Sequence, residues 1–161
     1  MPTENPDRHL GFILHDVARL LRKRFDQRAR VLGLSRAQWS VLAHLSRNEG
    51  IRQNALAEIL EVEPITLARQ IDRLEESALV ERRADPTDRR ARLLHLRREA
   101  HPLLEQMRVL GAETREDALC GISPERRDEL IETLLEIKRN LSSRTPAQPE
   151  PNEPELETID G

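Results

Sequence analysis

The chain has 161 residues, 37% of them hydrophobic and 34% charged, which fits a folded, heavily solvated domain rather than a disordered one. Its formal charge of −3 is unevenly spread: Ser143 to Gly161 holds five carboxylates against Arg144 alone, or −4, so residues 1–142 carry +1. No run approaches the roughly 18 apolar residues of a membrane span, Met1 to Arg8 is polar with no secretory segment behind it, and one cysteine, Cys120, excludes an internal disulfide framework; the expected compartment is cytoplasmic.

From about Arg8 to Leu32 apolar residues recur at Leu10, Ile13, Leu14, Val17, Leu20, Leu21, Phe25, Ala29 and Leu32, a helical period that Gly33 ends as a C-cap. With aromatics at only 2% (Trp39, Phe12, Phe25), Leu, Ile, Val and Ala must fill the core, and part of this apolar surface is expected to face a second chain. Ser35-Arg36-Ala37-Gln38 is a capping box opening a helix with Trp39, Val41, Leu42 and Leu45. A short helix follows at about Gln53 to Leu60. After a tight break at Glu61-Val62-Glu63, Pro64 takes the first position of another, running to about Ser77. Leu67, Ile71, Leu74 and Ala78 form its apolar stripe, and Thr66, Arg69, Gln70 and Arg73 the opposite one.

The period then shortens. Leu79 to Ala84 and Ala91 to Leu96, joined by Asp85-Pro86-Thr87-Asp88-Arg89-Arg90, predict a β-hairpin with a charged tip. Two helices come next, from about Arg98 to Leu119 with Pro102 in the first turn, and from Ser123-Pro124 with Leu130, Leu134, Ile137 and Leu141. Four prolines between Pro146 and Pro154, among Ser, Gln, Asn and Glu, predict a disordered acidic tail over 143–161.

The fold class expected is mainly α with a small β-wing, a winged helix-turn-helix. An Arg/Gln helix face or a charged turn taken singly is ordinarily just solvated surface. Their order here carries the inference, because a helix anchored by one face can offer the other to the major groove while a hairpin tip reaches the minor groove beside it. Arginine can bond guanine or phosphate bidentately, glutamine can pair with adenine, and threonine can touch phosphate or a thymine methyl. From Pro64 to Arg97 eight arginines face six carboxylates, a local +2.

The run Leu56-Ala57-Glu58-Ile59-Leu60, then Glu63 to Glu75, then Leu79-Val80-Glu81-Arg82 and Asp85-Pro86-Thr87-Asp88-Arg89-Arg90-Ala91 resembles the multiple antibiotic resistance regulator (MarR) family, most closely its SlyA-like branch, over about residues 8–142. The resemblance implies a homodimeric regulator of transcription. Dimerisation helices would lie at about 8–32 and 98–142, a DNA-binding lobe at about 35–97, and the recognition helices one DNA turn apart on a pseudo-palindrome of duplex DNA. It carries the major-groove arginine over to Arg69, the minor-groove wing arginine to Arg90, and the aspartate that holds that arginine to Asp88. Pro64, Thr66, Gln70, Arg73 and Arg89 are neighbouring DNA-contact candidates. Arg97 stands where the family places a threonine N-cap, which leaves the start of the next helix open.

The family often binds small phenolic or aromatic carboxylate effectors, implying a site near His15, Arg19, Trp39 and Ala43; taken by themselves, Trp39 reads first as core and His15 as a surface histidine. A repressor with no effector, or a winged-helix protein-interaction module without direct DNA contact, are the other readings, the second opposed by Arg69 and Arg90. Cys120, with no partner and at a helix C-terminus, is a poor oxidation sensor. The histidines (His9, His15, His44, His95, His101) lack metal-ligand spacing, so no metal or cofactor is expected. No G-x-S-x-G, H-E-x-x-H or Gly-rich phosphate loop points to an enzyme.

Overall fold

A computed structural model describes residues 8–143 of the chain, so the tail expected from Ser143 onward lies, beyond that residue, outside the described residues. The chain divides into two compact units, one ending at Ala118 and the other beginning at Leu119.

In the first unit α1 (Leu10–Ala29) continues into a 3-10 turn at Arg30–Leu32 and stops at Gly33, whose φ of 68° is the left-handed conformation a side chain would resist. It packs along α5 (His101–Ala118). Arg28 ties the two, donating to Oγ1 of the buried Thr114 at 3.1 Å and to Asp117. Its remaining apolar residues, Leu10, Phe12, Ile13, Leu14, Val17 and Leu20, are exposed.

The capping box forms as expected at the start of α2 (Arg36–Arg47): Gln38 N–H donates to Ser35 Oγ at 3.2 Å, and Ser35 N–H to Gln38 Oε1 at 3.0 Å. Val41, Leu42 and Leu45 of α2 enter the core with Leu56 and Ala57 of α3 (Gln53–Ile59) and Leu67, Ile71 and Leu74 of α4 (Pro64–Glu76). The break between α3 and α4 is a Schellman turn: Glu61 N–H bonds Glu58 O and Val62 N–H bonds Ala57 O, each at 3.1 Å, with Glu61 at φ 53°.

The same device ends α4. Ala78 N–H bonds Glu75 O and Leu79 N–H bonds Leu74 O, each at 2.9 Å, with Ala78 at φ 58°. Ala78 therefore leaves the apolar stripe expected of it and serves as the turn residue. The chain enters a hairpin of β1 (Val80–Ala84) and β2 (Arg92–Leu96), paired antiparallel with Val80 opposite Leu96 and Ala84 opposite Arg92. Val80, Leu94 and Leu96 turn inward and complete the core, which Ala100 and Met107 close from below.

The segment before α3 also joins the hairpin. Gly50 N–H donates to Leu94 O and Leu94 N–H to Ile51 O, both at 2.9 Å, and Arg52 bridges to Leu93. Gly50 sits at φ 82°, and a Cβ there would lie 3.5 Å from the His95 ring. Without a threonine cap, Arg97 is extended and a 3-10 turn, Arg98–Ala100, leads into α5, with Pro102 in its first turn as expected. In the second unit Ser123 Oγ accepts from Arg126 N–H at 3.4 Å to open α6 (Pro124–Ser143), which exposes Leu130, Ile131, Leu135 and Leu141.

Candidate nucleic-acid interface

Burial of Leu67, Ile71 and Leu74 fixes the rotation of α4, so Thr66, Arg69 and Arg73 must project outward, and all are exposed. Neither the Arg69 nor the Arg73 side chain has a hydrogen bond or ion pair among the described residues, so both guanidiniums keep their donors for a ligand. Pro64 begins the helix at its exposed end. Gln70 is placed differently: it is half-buried, and its Oε1 is enclosed with no donor. It borders a depression shared with Thr66, Ser40 and Val62. An enclosed, unpaired amide oxygen costs on the order of 1–3 kcal/mol, which favours a side chain that swings outward when a donor arrives.

The wing loop is held from within. Asp85, 7% exposed, accepts from the Thr87 N–H at 2.8 Å, the Thr87 hydroxyl at 2.7 Å and Arg52 Nη2 at 2.7 Å. The two Thr87 bonds, with Arg52 as a lesser cause, hold its carboxyl below the usual aspartate value. Asp88 Oδ1 accepts the Arg90 backbone N–H at 3.0 Å, and its Oδ2 lies 4.0 Å from Arg52. The wing aspartate thus shapes the turn beneath Arg90 and makes no pair with its guanidinium. The hold on Arg90 is through its main chain, the donor that the tight turn brings closest. Arg89 and Arg90 are exposed at the tip, their side chains unpaired among the described residues.

Arg82, half-buried on β1, joins the wing to both helices. Its Nε donates to Gln53 Oε1 of α3 at 2.8 Å, its Nη2 to Asp72 Oδ1 at 2.7 Å and to Ala68 O at 3.1 Å, and its Nη1 to Glu75 of α4. Glu75 also accepts the Arg82 backbone N–H at 2.8 Å. A planar fork engaged by acceptors on two helices holds the hairpin at one angle to α4. Between α3 and the hairpin opens a cleft of about 590 Å³, with Arg52 and Asn54 on one wall, Arg90 and Arg92 on the other and Arg82 at its root.

A second cavity, about 670 Å³, lies between α1, α2 and α5. Trp39 and Ala43 line it with Phe25 and Met107, and Arg47, His101, Arg108 and Arg115 supply basic groups. Trp39 meets Phe25 edge-to-face at 4.6 Å and donates from Nε1 to Asp26 Oδ1 at 2.7 Å. Of the expected effector residues, His15 and Arg19 do not line this cavity. His15 borders a shallow hollow with His9 and Phe12, and Arg19 lies 3.6 Å from Asp16.

The sequence model of the MarR family matches residues 32–91, the stretch from the end of the first helical segment through the wing tip. A solved structure described as transcriptional regulator PA3341 shares 38% identity over 84% of this chain and 100% of its own length, with a TM-score of 0.74. This chain belongs to the MarR family. Wild-type MarR from E. coli in its apo form is 25% identical over 80% of this chain and 96% of its own, with a TM-score of 0.71. A SlyA-like regulator from Listeria monocytogenes, at 22% identity and a TM-score of 0.73, shares the fold.

Family membership makes the chain a winged-helix transcriptional regulator of DNA-binding type. Among the described residues no helix is long and apolar enough to cross a membrane, and no cluster of His, Cys, Asp and Glu could hold a metal. The MarR-type sequence pattern exposed Arg69 and Arg90 but not the bracing roles of Arg52 and Arg82, whose partners lie up to 36 residues away. Ile65, 63% exposed in the first turn of α4, also escaped the sequence reading. Its departure from the apolar stripe was the available signal.

Proposed function

We propose that this MarR-family chain is a ligand-responsive repressor acting as a homodimer on a pseudo-palindromic operator. One observation carries the reading: exposed, unpaired Arg69 and Arg73 on α4 and Arg90 on the wing are held at a fixed mutual angle by Arg82 and Arg52. Elements pre-set for two neighbouring grooves lose little freedom on binding. Arg69 reads base edges in the major groove with Pro64, Thr66, Gln70 and Arg73 beside it, and Arg90 enters the minor groove with Arg89 next to it, above the turn made by Asp88. The exposed apolar faces of α1 and α6 are covered by the second copy, with residues 8–32 and 98–142 as the dimerising helices and 35–97 as the DNA-binding lobe.

Apolar walls and a basic rim suit the α1/α2/α5 cavity to a small phenolic or aromatic carboxylate. Such an effector would rotate the lobes and spoil the half-site match on both sides at once. The test is selection from a random duplex library with the full chain, then titration of the selected duplex with and without salicylate. Enrichment of a twofold motif, weakened binding with salicylate and quenching of the single Trp39 are the expected results. No enrichment rejects the DNA reading; enrichment with no salicylate or benzoate effect rejects the effector.

A further inference from the structure

In B-form DNA a single sugar-phosphate strand separates each major groove from the minor groove beside it. A protein that puts α4 into one and the wing into the other must straddle that strand. The cleft between α3 and the hairpin lies next to both elements: Arg90 of the wing lines it, and Arg82 at its root is bonded to Asp72 and Ala68 of α4.

The charges lining the cleft are not equivalent. Arg82 is neutralised by Asp72 and Glu75, and Arg52 by Asp85. Arg92 faces no carboxylate at ion-pair distance among the described residues: its Nη1 reaches only the carbonyls of Arg89 and Ala91, at 3.2 and 3.3 Å. Opposite it, the side chain of exposed Asn54 has no hydrogen bond among the described residues. The cleft therefore offers, on one wall, a cation with no carboxylate at ion-pair distance and, on the other, an amide donor one turn from the carboxylate of Glu58, which also lines the cleft. Arg52, bonded at once to Asp85 and, at 3.5 Å, to Thr87 Oγ1, spans from the start of α3 to the wing loop and sets the width.

We propose that this cleft is a phosphodiester seat, in which Arg92 and Asn54 grip the strand that runs between the two grooves while Arg52 holds the walls apart. The inference rests on the groove assignment above and adds a contact site outside α4 and the wing tip. Phosphate contacts set register and orientation on the duplex, so this seat would fix where Arg69 and Arg90 come to lie.

The experiment is a methylphosphonate scan of the selected duplex, replacing one charged phosphate at a time, against the wild-type full chain and the Arg92→Ala and Asn54→Ala variants. Wild-type binding should fall about tenfold at one or two positions per half-site on the strand between the grooves, as expected for loss of a charge-assisted contact. Arg92→Ala should lower the slope of log affinity against log salt by about 0.9 per protomer. At those same positions the methylphosphonate should then cost Arg92→Ala little more. Asn54→Ala, at a residue with no internal partner, should repeat the pattern more weakly, and thermal melting shows whether either variant stays folded. Equal methylphosphonate losses in wild type and both variants, or none at any position, overturn the seat. If Arg69→Ala and Arg90→Ala still weaken specific binding in that case, the groove assignment survives it; if the wild type binds no duplex, both fall.

Discussion

Asp85 shows how one carboxylate can hold a reading element in place. Bonds from the Thr87 hydroxyl and N–H, with Arg52 behind them, keep its carboxyl below the usual value near 4. The stabilisation is therefore present above the ordinary aspartate range and is lost only as pH falls through the lower folded value. The amide of Thr87 should keep its exchange protection and chemical shift from pH 7 down through the ordinary aspartate range and lose both only at lower pH. Loss between pH 6 and 7 would mean another group holds the loop. Arg90, by contrast, contributes nothing to the loop that its backbone does not. Arg90→Ala should leave the melting temperature unchanged and weaken binding to the selected duplex by about 1–3 kcal/mol, read as a drop of about five- to 150-fold in anisotropy titrations.

At the scale of elements, the ends of helices divide what could be read from sequence from what could not. Ser35 and Gln38 stand three residues apart and satisfy each other, so their capping box was legible, as was Pro64 at the start of α4. Gly33 announced its own left-handed turn. The ends of α3 and α4 use the same turn with Glu61 and Ala78, where no glycine marks it. Both residues are held there by the main-chain bonds that close their helices. Ala78→Gly should therefore remove a left-handed Cβ penalty of about 1–2 kcal/mol and return part of it through a freer unfolded chain. The net expectation is about 0.5–1 kcal/mol of added stability, measured by urea unfolding. A destabilised variant would show that the Ala78 methyl packs more than it strains.

The hairpin was legible from its turn formers, but its attachment was not. Arg82 reads in sequence as one more charge on a strand. Its role depends on Gln53, Ala68, Asp72 and Glu75 arriving together, which only the folded packing of Leu56, Leu67, Ile71 and Val80 achieves. The α1/α2/α5 cavity is a similar case. Trp39 and Ala43 were found, but the basic rim comes from Arg47 on α2 and from α5, and His15 and Arg19 point to a different part of α1.

At the scale of the whole molecule, α1 carries an uncovered apolar face among the described residues. Leu10, Phe12, Ile13, Leu14, Val17 and Leu20 stay exposed on one helix, more than a lone soluble protein usually leaves in one place. Leu20→Glu should move the protein from dimer towards monomer in sedimentation velocity at micromolar concentration and weaken specific DNA binding with it. A variant that sediments like the wild type would place the twofold contact elsewhere. Two half-sites held by one rigid dimer are also what would give a long recognition sequence its affinity.

The most direct measurement is anisotropy titration of the full chain against the library-selected duplex and a shuffled duplex of equal length, at several salt concentrations. The expected result is two protomers per duplex, a preference of at least about a thousandfold for the selected sequence, and a linear fall of log affinity with log salt. Equal affinity for both duplexes, or no binding to either at low ionic strength, would contradict it.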